Sequence, residues 1–505
     1  HNYASIKVKI CKIIDFVVDK ALTLKFNIGI DQVKTWRKDF NNMNGFLNWM
    51  EEHFMPVAAR IGNQKHLVAI RDAFIAIMPI TMVGSIAVLL NVFFRDLPNS
   101  WWGDGNSFVA AMSPLISVNG NVYFGSIVIL SLAFSFALGY QIAKTYNVNP
   151  IAGGVIAFSA VVTCMNQSAA FDFTLPGVDA GSLDALKALG VDAVASGDAV
   201  NISVSGWGYM GSGYTGAGGL FTALIVGLLS SLIYVKLMIH KITIKMPDNV
   251  PPAVGNAFAA IIPGCVAIYV FGIITQICVG AAGMYPNELI QKWIQAPLMG
   301  LSQNMWSAIL VSFLVQLLWF FGLHGSNVMA PFIEGVYTPA LLENLAYFEE
   351  HHTTKGMPYV WTRGSLDAYA QMGGSGVTLG LLIAILIFSK RKDVREVGKL
   401  AAPMGVFNIN EPIIFGLPIV LNPIYLIPWL LVPPVCTLIA YLFTVGGIIP
   451  PVYVQVPWVM PVGIYAFLAT GGSIMAGVVA LINLGVSFLI WTPFVLLANR
   501  TQEVE

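Results

Sequence analysis

Between Lys399 and Arg500 the chain runs through 100 residues with a single formally charged side chain, Glu411. This stretch constrains the fold more than any other feature. A water-exposed surface cannot be built from it, and any backbone it places in lipid must satisfy its own hydrogen bonds. A lone charge at membrane depth costs roughly 2.5–3.5 kcal/mol even on lenient insertion scales, which makes it a functional-site hypothesis by default. The neighbours Asn408, Asn410 and Pro412 make a poor helix interior, and backbone broken at that depth is tolerated only when packed in protein or lining a wet cavity. The competing reading is a buried Glu paired for structure alone.

Composition extends that constraint to the whole chain. With 56% hydrophobic and 10% charged residues over 505 positions, the sequence is that of an all-α polytopic membrane protein. Forty-eight glycines and 27 prolines suit close helix packing and interrupted spans. A net charge of zero gives no reason to expect nucleic acid. Cys11, Cys164, Cys265, Cys278 and Cys436 are scattered without metal or redox spacing and read as small apolar residues. No metal cluster and no phosphate-binding Walker loop is present, so neither metal nor cofactor is expected. The basic first residues are not followed by a compact apolar core, so no cleavable signal is expected.

Taken in order, residues 1–60 form a basic amphipathic extension, with Ile6 to Lys12 alternating apolar and lysine; it is either a cytoplasmic membrane-surface segment or a solvated tail. Spans follow at about 71–94, 123–143, 150–165, 216–237 and 253–281. The basic residues before the first span place the N-terminus inside. The 34-residue segment 168–201 carries Asp172, Asp179, Asp184, Asp192 and Asp198 but only Lys187, which reads as an outside loop. Gly206 to Gly219 reads as a close-packed or re-entrant turn. Residues 284–305 are amphipathic and mark a boundary between a scaffold domain at 61–283 and a transport domain at 306–505. In the second half, clear spans at 306–323 and 366–389 would leave the basic cluster Lys390, Arg391, Lys392, Arg395 and Lys399 outside. A broken crossing through 326–348 restores the sign. A hairpin at 399–421 and spans at 424–446 and 466–498 return the C-terminus inside. Ten crossings plus re-entrant elements satisfy the charges, and spans interrupted in this way point to a transport site.

His324 is the second titratable group at membrane depth, in Leu323-His324-Gly325-Ser326 where the sixth span breaks. It can donate, accept or pair with a carboxylate; a cap on a broken helix is the plainer alternative. Ser326, Asn408 and Asn410 are further candidates for contact with a substrate. The Gly373-Gly374-Ser375-Gly376 run reads first as close packing. Trp458, between Pro457 and Val459, fits either an interfacial belt or a sugar-stacking aromatic.

Asn410-Glu411-Pro412-Ile413, Phe321-Gly322-Leu323-His324-Gly325, Gly373 to Gly376 and Val456-Pro457-Trp458 together resemble the IIC component of the bacterial phosphotransferase system, in its lactose/cellobiose/diacetylchitobiose branch. The resemblance covers about residues 55–500. It implies a homodimer in the bacterial cytoplasmic membrane, with ten transmembrane helices, two re-entrant hairpins and both termini cytoplasmic. It implies one disaccharide bound in the second half, with Glu411 and His324 at the C6 hydroxyl to be phosphorylated. Trp458 and Trp319 become the stacking residues, and the phosphoryl donor becomes a separate IIB protein charged through IIA. The chemistry is consistent with this, since a positioned carboxylate activates an alcohol and phosphoryl transfer otherwise needs mainly positioning and charge neutralisation. An ion-coupled sugar symporter and a non-transporting receptor are the alternatives from other functional classes.

Overall fold

A computed structural model describes residues 63–176, 180–189, 191–196, 199–247, 251–417, 419–420 and 422–500, together with 53, 56, 57 and 60. The basic segment at 1–52 lies outside the described residues, and the fold is that of the unit Val57–Glu505.

Among the described residues, five helices are long and apolar enough to cross a membrane: Lys65–Asn99 (α1), Ala217–Ile239, Ala253–Ala282, Ile424–Val445 and Ile474–Asn499. A sixth candidate is the pair Pro286–Ser302 and Met305–Phe320, bent by 78° at its break. Ten uniform crossings are therefore not what the helices themselves display. The remaining expected spans are short or kinked, as at Pro150–Thr163 and Ser375–Phe388.

The first half is built from α1, Ser107–Phe124 (α2), Leu130–Thr145 (α3), Pro150–Thr163 (α4), Ala217–Ile239 (α5) and Ala253–Ala282 (α6). Hydropathy does not anticipate α2, because its serines and asparagines break up the signal. Packing rests on small residues. A Cβ at Gly139 of α3 would run into the Gly153 carbonyl and Ala157 of α4, so the two backbones approach to a distance that no larger side chain permits. Asn106, Asn149, Asn304 and Asn422 begin four helices with side chains that accept first-turn backbone N–H bonds, satisfying donors a helix start leaves open.

The segment expected to be an outside loop is ordered instead. Ser168–Pro176 (β1), Asp192–Ser196 (β2) and Ala199–Trp207 (β3) form an antiparallel sheet in the order β1-β3-β2, with Ser168 opposite Trp207 and Asp192 opposite Ser203. The helix Ala180–Ala188 connects β1 to β2. Among the described residues the protein is therefore mainly helical with one small sheet. That sheet's own core is Ala193, Val200 and Ile202, joined by Leu183, Leu186 and Val191.

In the second half short helices, Gly325–Phe332 (α7), Thr338–His351 (α8), Arg363–Tyr369 (α9), Thr378–Phe388 (α10), Lys392–Val406 (α11), Glu411–Gly416 (α12) and Ile464–Ala469 (α14), are interleaved with two long ones, Pro423–Val445 (α13) and Ile474–Arg500 (α15). Wide π-turns occur at 92–96, 291–295 and 333–337, a geometry common at functional positions. Each holds a polar network. Arg95 pairs with Asp96 at 2.7 Å and reaches Glu349 of α8 at 3.6 Å. Gln295 donates to Glu343 at 2.6 Å. Glu334, in the third π-turn, pairs with Arg363 of α9.

Candidate functional site

Three backbone breaks converge around Glu411. The first is the turn 373–377, where Gly373, Gly374, Gly376 and Val377 all have positive φ. A Cβ at Gly374 would strike the Asn410 amide, and one at Gly376 would meet the Trp429 ring. Glycine is required there for space as well as for backbone conformation. The second break is 407–410, where Asn408 adopts φ 62°, a region Asn tolerates better than most residues. The third is the turn around Val456–Met460, where the Met460 N–H donates to the Pro457 carbonyl at 3.0 Å.

Asn408 joins all three. Its Oδ1 accepts from the Gly373 N–H at 2.7 Å, and its Nδ2 donates to the carbonyls of Trp458 at 2.6 Å and Met460 at 2.8 Å. Asn410 Nδ2 donates to the Ser375 carbonyl at 2.7 Å. Both asparagines are buried. Their amides are thus engaged by main chain that the breaks would otherwise leave unpaired in an apolar setting. Thr378 adds a hydrogen bond to the Gly373 carbonyl.

Glu411 is the first residue of α12, followed by Pro412, an order in which the fixed φ of proline suits a first turn. Its side chain is exposed. His324 is the N-cap of α7, its Nδ1 accepting from the Asn327 N–H at 3.3 Å, and it too is exposed. The turn preceding His324 packs toward the hairpin of Glu411, since a Cβ at Gly322 would touch Val420 at 3.6 Å. The two titratable groups singled out from the sequence are therefore brought to one place.

The aromatics divide. Trp319 is 4% exposed, and its ring lies 4.3 Å from that of His324, centroid to centroid. Its indole N–H is buried without a partner. It therefore packs on the imidazole. Trp458 is 46% exposed and borders a cavity between α1 and the second half. Ser326 lies half-buried in the first turn of α7.

Sequence reasoning missed the polar wall of that cavity. Arg363 Nε donates to Glu334 at 2.8 Å, and Arg363 Nη1 lies 2.7 Å from Asp367. Thr338 donates to Glu334 at 2.6 Å, and Tyr465 to Asp367 at 3.4 Å. The i,i+4 spacing of Arg363 and Asp367 was the one available signal; Glu334, 29 residues upstream, gave none. Among the described residues no group of acidic, His or Cys side chains could hold a metal ion.

A model of the phosphotransferase system EIIC family matches residues 71–433. The chain belongs to that family. The cellobiose-specific EIIC component of Lactococcus lactis subsp. lactis (strain IL1403) is 40% identical over 500 residues, covering 92% of this chain and 100% of that protein. The oligo-beta-mannoside-specific EIIC component of Bacillus subtilis (strain 168) is 34% identical over 449 residues, 88% of this chain and 92% of that one. Among solved structures, the transporter ChbC, the IIC component from the N,N'-diacetylchitobiose-specific phosphotransferase system, matches with a TM-score of 0.78 and 28% identity over 90% of this chain and 98% of its own. As an EIIC protein this chain is a sugar permease component of the bacterial cytoplasmic membrane, working with IIA and IIB partners.

Proposed function

We propose that this EIIC protein binds a β-linked disaccharide of the cellobiose type, moves it across the membrane and presents its C6 hydroxyl to a separate phospho-IIB protein. The Lactococcus and Bacillus relatives and ChbC carry β-linked sugars in their names. The observation that carries the reading is the placement of Glu411, an exposed carboxylate opening a broken helix on a hairpin that packs against the turn preceding His324. Glu411 takes the proton of the C6 hydroxyl as its oxygen bonds to phosphorus. The phosphorus–sulfur bond to the IIB cysteine breaks and the thiolate leaves. His324, held by Trp319 and by the α7 backbone, hydrogen-bonds the same hydroxyl. Trp458 stacks on a sugar face. Asn408 and Asn410 position the hairpin, since their amides are taken by backbone, and Ser326 approaches the sugar from α7.

The same reading assigns residues 61–283 to a dimerisation scaffold, 284–305 to a linker and 306–505 to an element that moves in an elevator-like fashion, with both termini cytoplasmic and two chains per transporter. The test uses membrane vesicles supplied with IIA, IIB and a phosphoryl donor. Glu411→Gln is expected to lower vectorial phosphorylation at least about 100-fold, the lower end of what a positioned base contributes, with sugar binding retained. A fully active variant removes the assignment. Accumulation of free sugar under an ion gradient, without phosphorylated partner, would instead establish symport.

A further inference from the structure

At the end of α1 away from Lys65, four titratable groups tie the first half of the chain to the second. Arg95 Nε and Nη2 donate to the two oxygens of Asp96 at 2.7 and 3.3 Å. Nη2 also lies 3.2 Å from Nδ1 of His352 and 3.6 Å from Oε1 of Glu349. A guanidinium can only donate, so Nδ1 meets it as the lone pair of a neutral ring. His352 follows the last turn of α8 at φ 51°, a left-handed cap that glycine or asparagine usually fills. The imidazole kept at this position is half exposed, and its Nδ1 is also 3.8 Å from Asp96 Oδ1. Oε1 of Glu349 is buried without a hydrogen bond.

With the ring neutral, the cluster sets two carboxylates against one guanidinium, and protonating His352 balances the charge. Nδ1–H can then no longer accept from Arg95. It turns to the Asp96 or Glu349 carboxylate, so an ion pair between the halves replaces a bond to a neutral ring, and an orphan acceptor gains a donor within reach. Two phenols stand close by. Tyr123 belongs to α2, which packs on the π-turn of Arg95, and Tyr453 stacks on Phe348 beside His352. Phenols stay neutral where imidazole titrates. Along the chain Glu350 is exposed, Lys355 lies beyond the cap, and His351 turns its ring onto Tyr347 at 4.1 Å.

We infer that Arg95, Asp96, Glu349 and His352 form a latch between the two halves that tightens when His352 takes up a proton from outside the membrane. The inference rests on the reading of 61–283 as scaffold, 306–505 as the moving element and both termini as cytoplasmic, which puts this end of α1 outside. It does not depend on the roles of Glu411 and His324. The latched arrangement surrounds the imidazole with carboxylates that parting of the halves takes away, so it binds the proton more tightly than the open one. The added hold is therefore present in acid and is lost as pH rises. Uptake of sugar requires the latch to open, so acid outside slows it.

The experiment follows cellobiose uptake into right-side-out vesicles loaded with IIA, IIB and a phosphoryl donor. The interior is held at about pH 7.5 and the exterior set at about pH 5.5 or 7.5, spanning most of the range in which imidazole changes charge. Uptake by the unaltered chain is expected to fall about fivefold in external acid, the upper end of what a partly exposed ion pair contributes. His352→Asn keeps a residue that tolerates positive φ and cannot be charged. It is expected to match the unaltered rate at the higher pH and to lose the acid slowing. Glu349→Gln, which leaves one carboxylate, is expected to reduce the slowing to about twofold and serves where His352→Asn lowers the melting temperature. Equal slowing in the unaltered chain and in His352→Asn, or no slowing in the unaltered chain, overturns the latch. Joining Asp96→Cys to Glu349→Cys with a bifunctional thiol reagent separates the latch from the reading it rests on. Uptake that survives the cross-link defeats the moving-element reading together with the latch, whereas blocked uptake with undiminished acid slowing in His352→Asn defeats the latch alone.

Discussion

The two halves of this EIIC protein use polar side chains in opposite ways. In the first half, hydroxyls mostly return to their own helix: Ser231 to the Gly227 carbonyl, Thr145 to Gln141, Thr163 to Ser159. In the second half, amides and indoles reach across to other elements. Asn483 donates to the carbonyls of Tyr369 and Cys436, Trp429 to Gln316, Trp491 to Gly376, and Asn344 to Tyr359. Continuous helices satisfy their backbones internally, so their side chains are free to be local. Broken helices in lipid leave carbonyls and N–H groups that side chains must meet. The polar residues of the second half therefore hold the site together before any of them acts on a sugar.

Substitutions at glycines separate the halves most strongly. Gly374→Ala places a Cβ against Asn410 at φ 91° and is expected to destabilise by about 3–5 kcal/mol, combining backbone strain with overpacking. Gly120→Ala, on open helix surface in α2, is expected to stabilise slightly, by about 0.5–1 kcal/mol. Thermal unfolding in detergent measures both, and equal effects would break the contrast. Next comes Asn408→Ala, which strands one N–H and two carbonyls and leaves alanine at positive φ; a loss of about 2–4 kcal/mol is expected. Ser231→Ala leaves a carbonyl that keeps its helical partner and should cost less than about 1 kcal/mol.

The smallest effect belongs to the surface helix α11. The Arg391 guanidinium, 2.6 Å from Asp393, holds that carboxyl below its ordinary range. A depressed carboxylate contributes stability above its unfolded-state pKa, and that contribution fades as pH falls through the folded value. Because the pair is exposed, Asp393→Asn should cost under about 1 kcal/mol at neutral pH. The cost should vanish in acid, which a pH series of melting temperatures would show.

Much of this was legible in the sequence because charge is so scarce. Glu411 and His324 stood out as titratable groups in apolar runs, and the long spans at 65–99, 217–239, 253–282, 424–445 and 474–499 follow from hydropathy alone. What escaped has specific causes. α2 carries Ser113, Ser117, Asn119 and Asn121 without a formal charge, so neither hydropathy nor charge marked it. The sheet at 168–207 alternates small residues whose burial depends on pairing across 39 residues, as between Ser168 and Trp207. Asn408 and Asn410 looked like ligands of a sugar because the sequence cannot reveal that main-chain groups 35 and 50 residues away would occupy their amides. The Glu334–Arg363–Asp367 wall required a π-turn to meet a helix 29 residues further on.

The bond from Asn408 to Trp458 also sets an order of events during synthesis. The hairpin that carries Glu411 emerges from the ribosome before the segment that secures it, by the 50 residues separating Asn408 from Trp458. At about 5–20 residues per second that interval lasts about 3–10 s. Throughout it Asn408 Nδ2 lacks the Trp458 and Met460 carbonyls that finally accept from it, whereas Gly373 and Ser375, the partners of Asn408 Oδ1 and Asn410, have already been made. The bonds to Gly373 and Ser375 are therefore available first, and the Trp458–Met460 segment completes the network around Asn408 last.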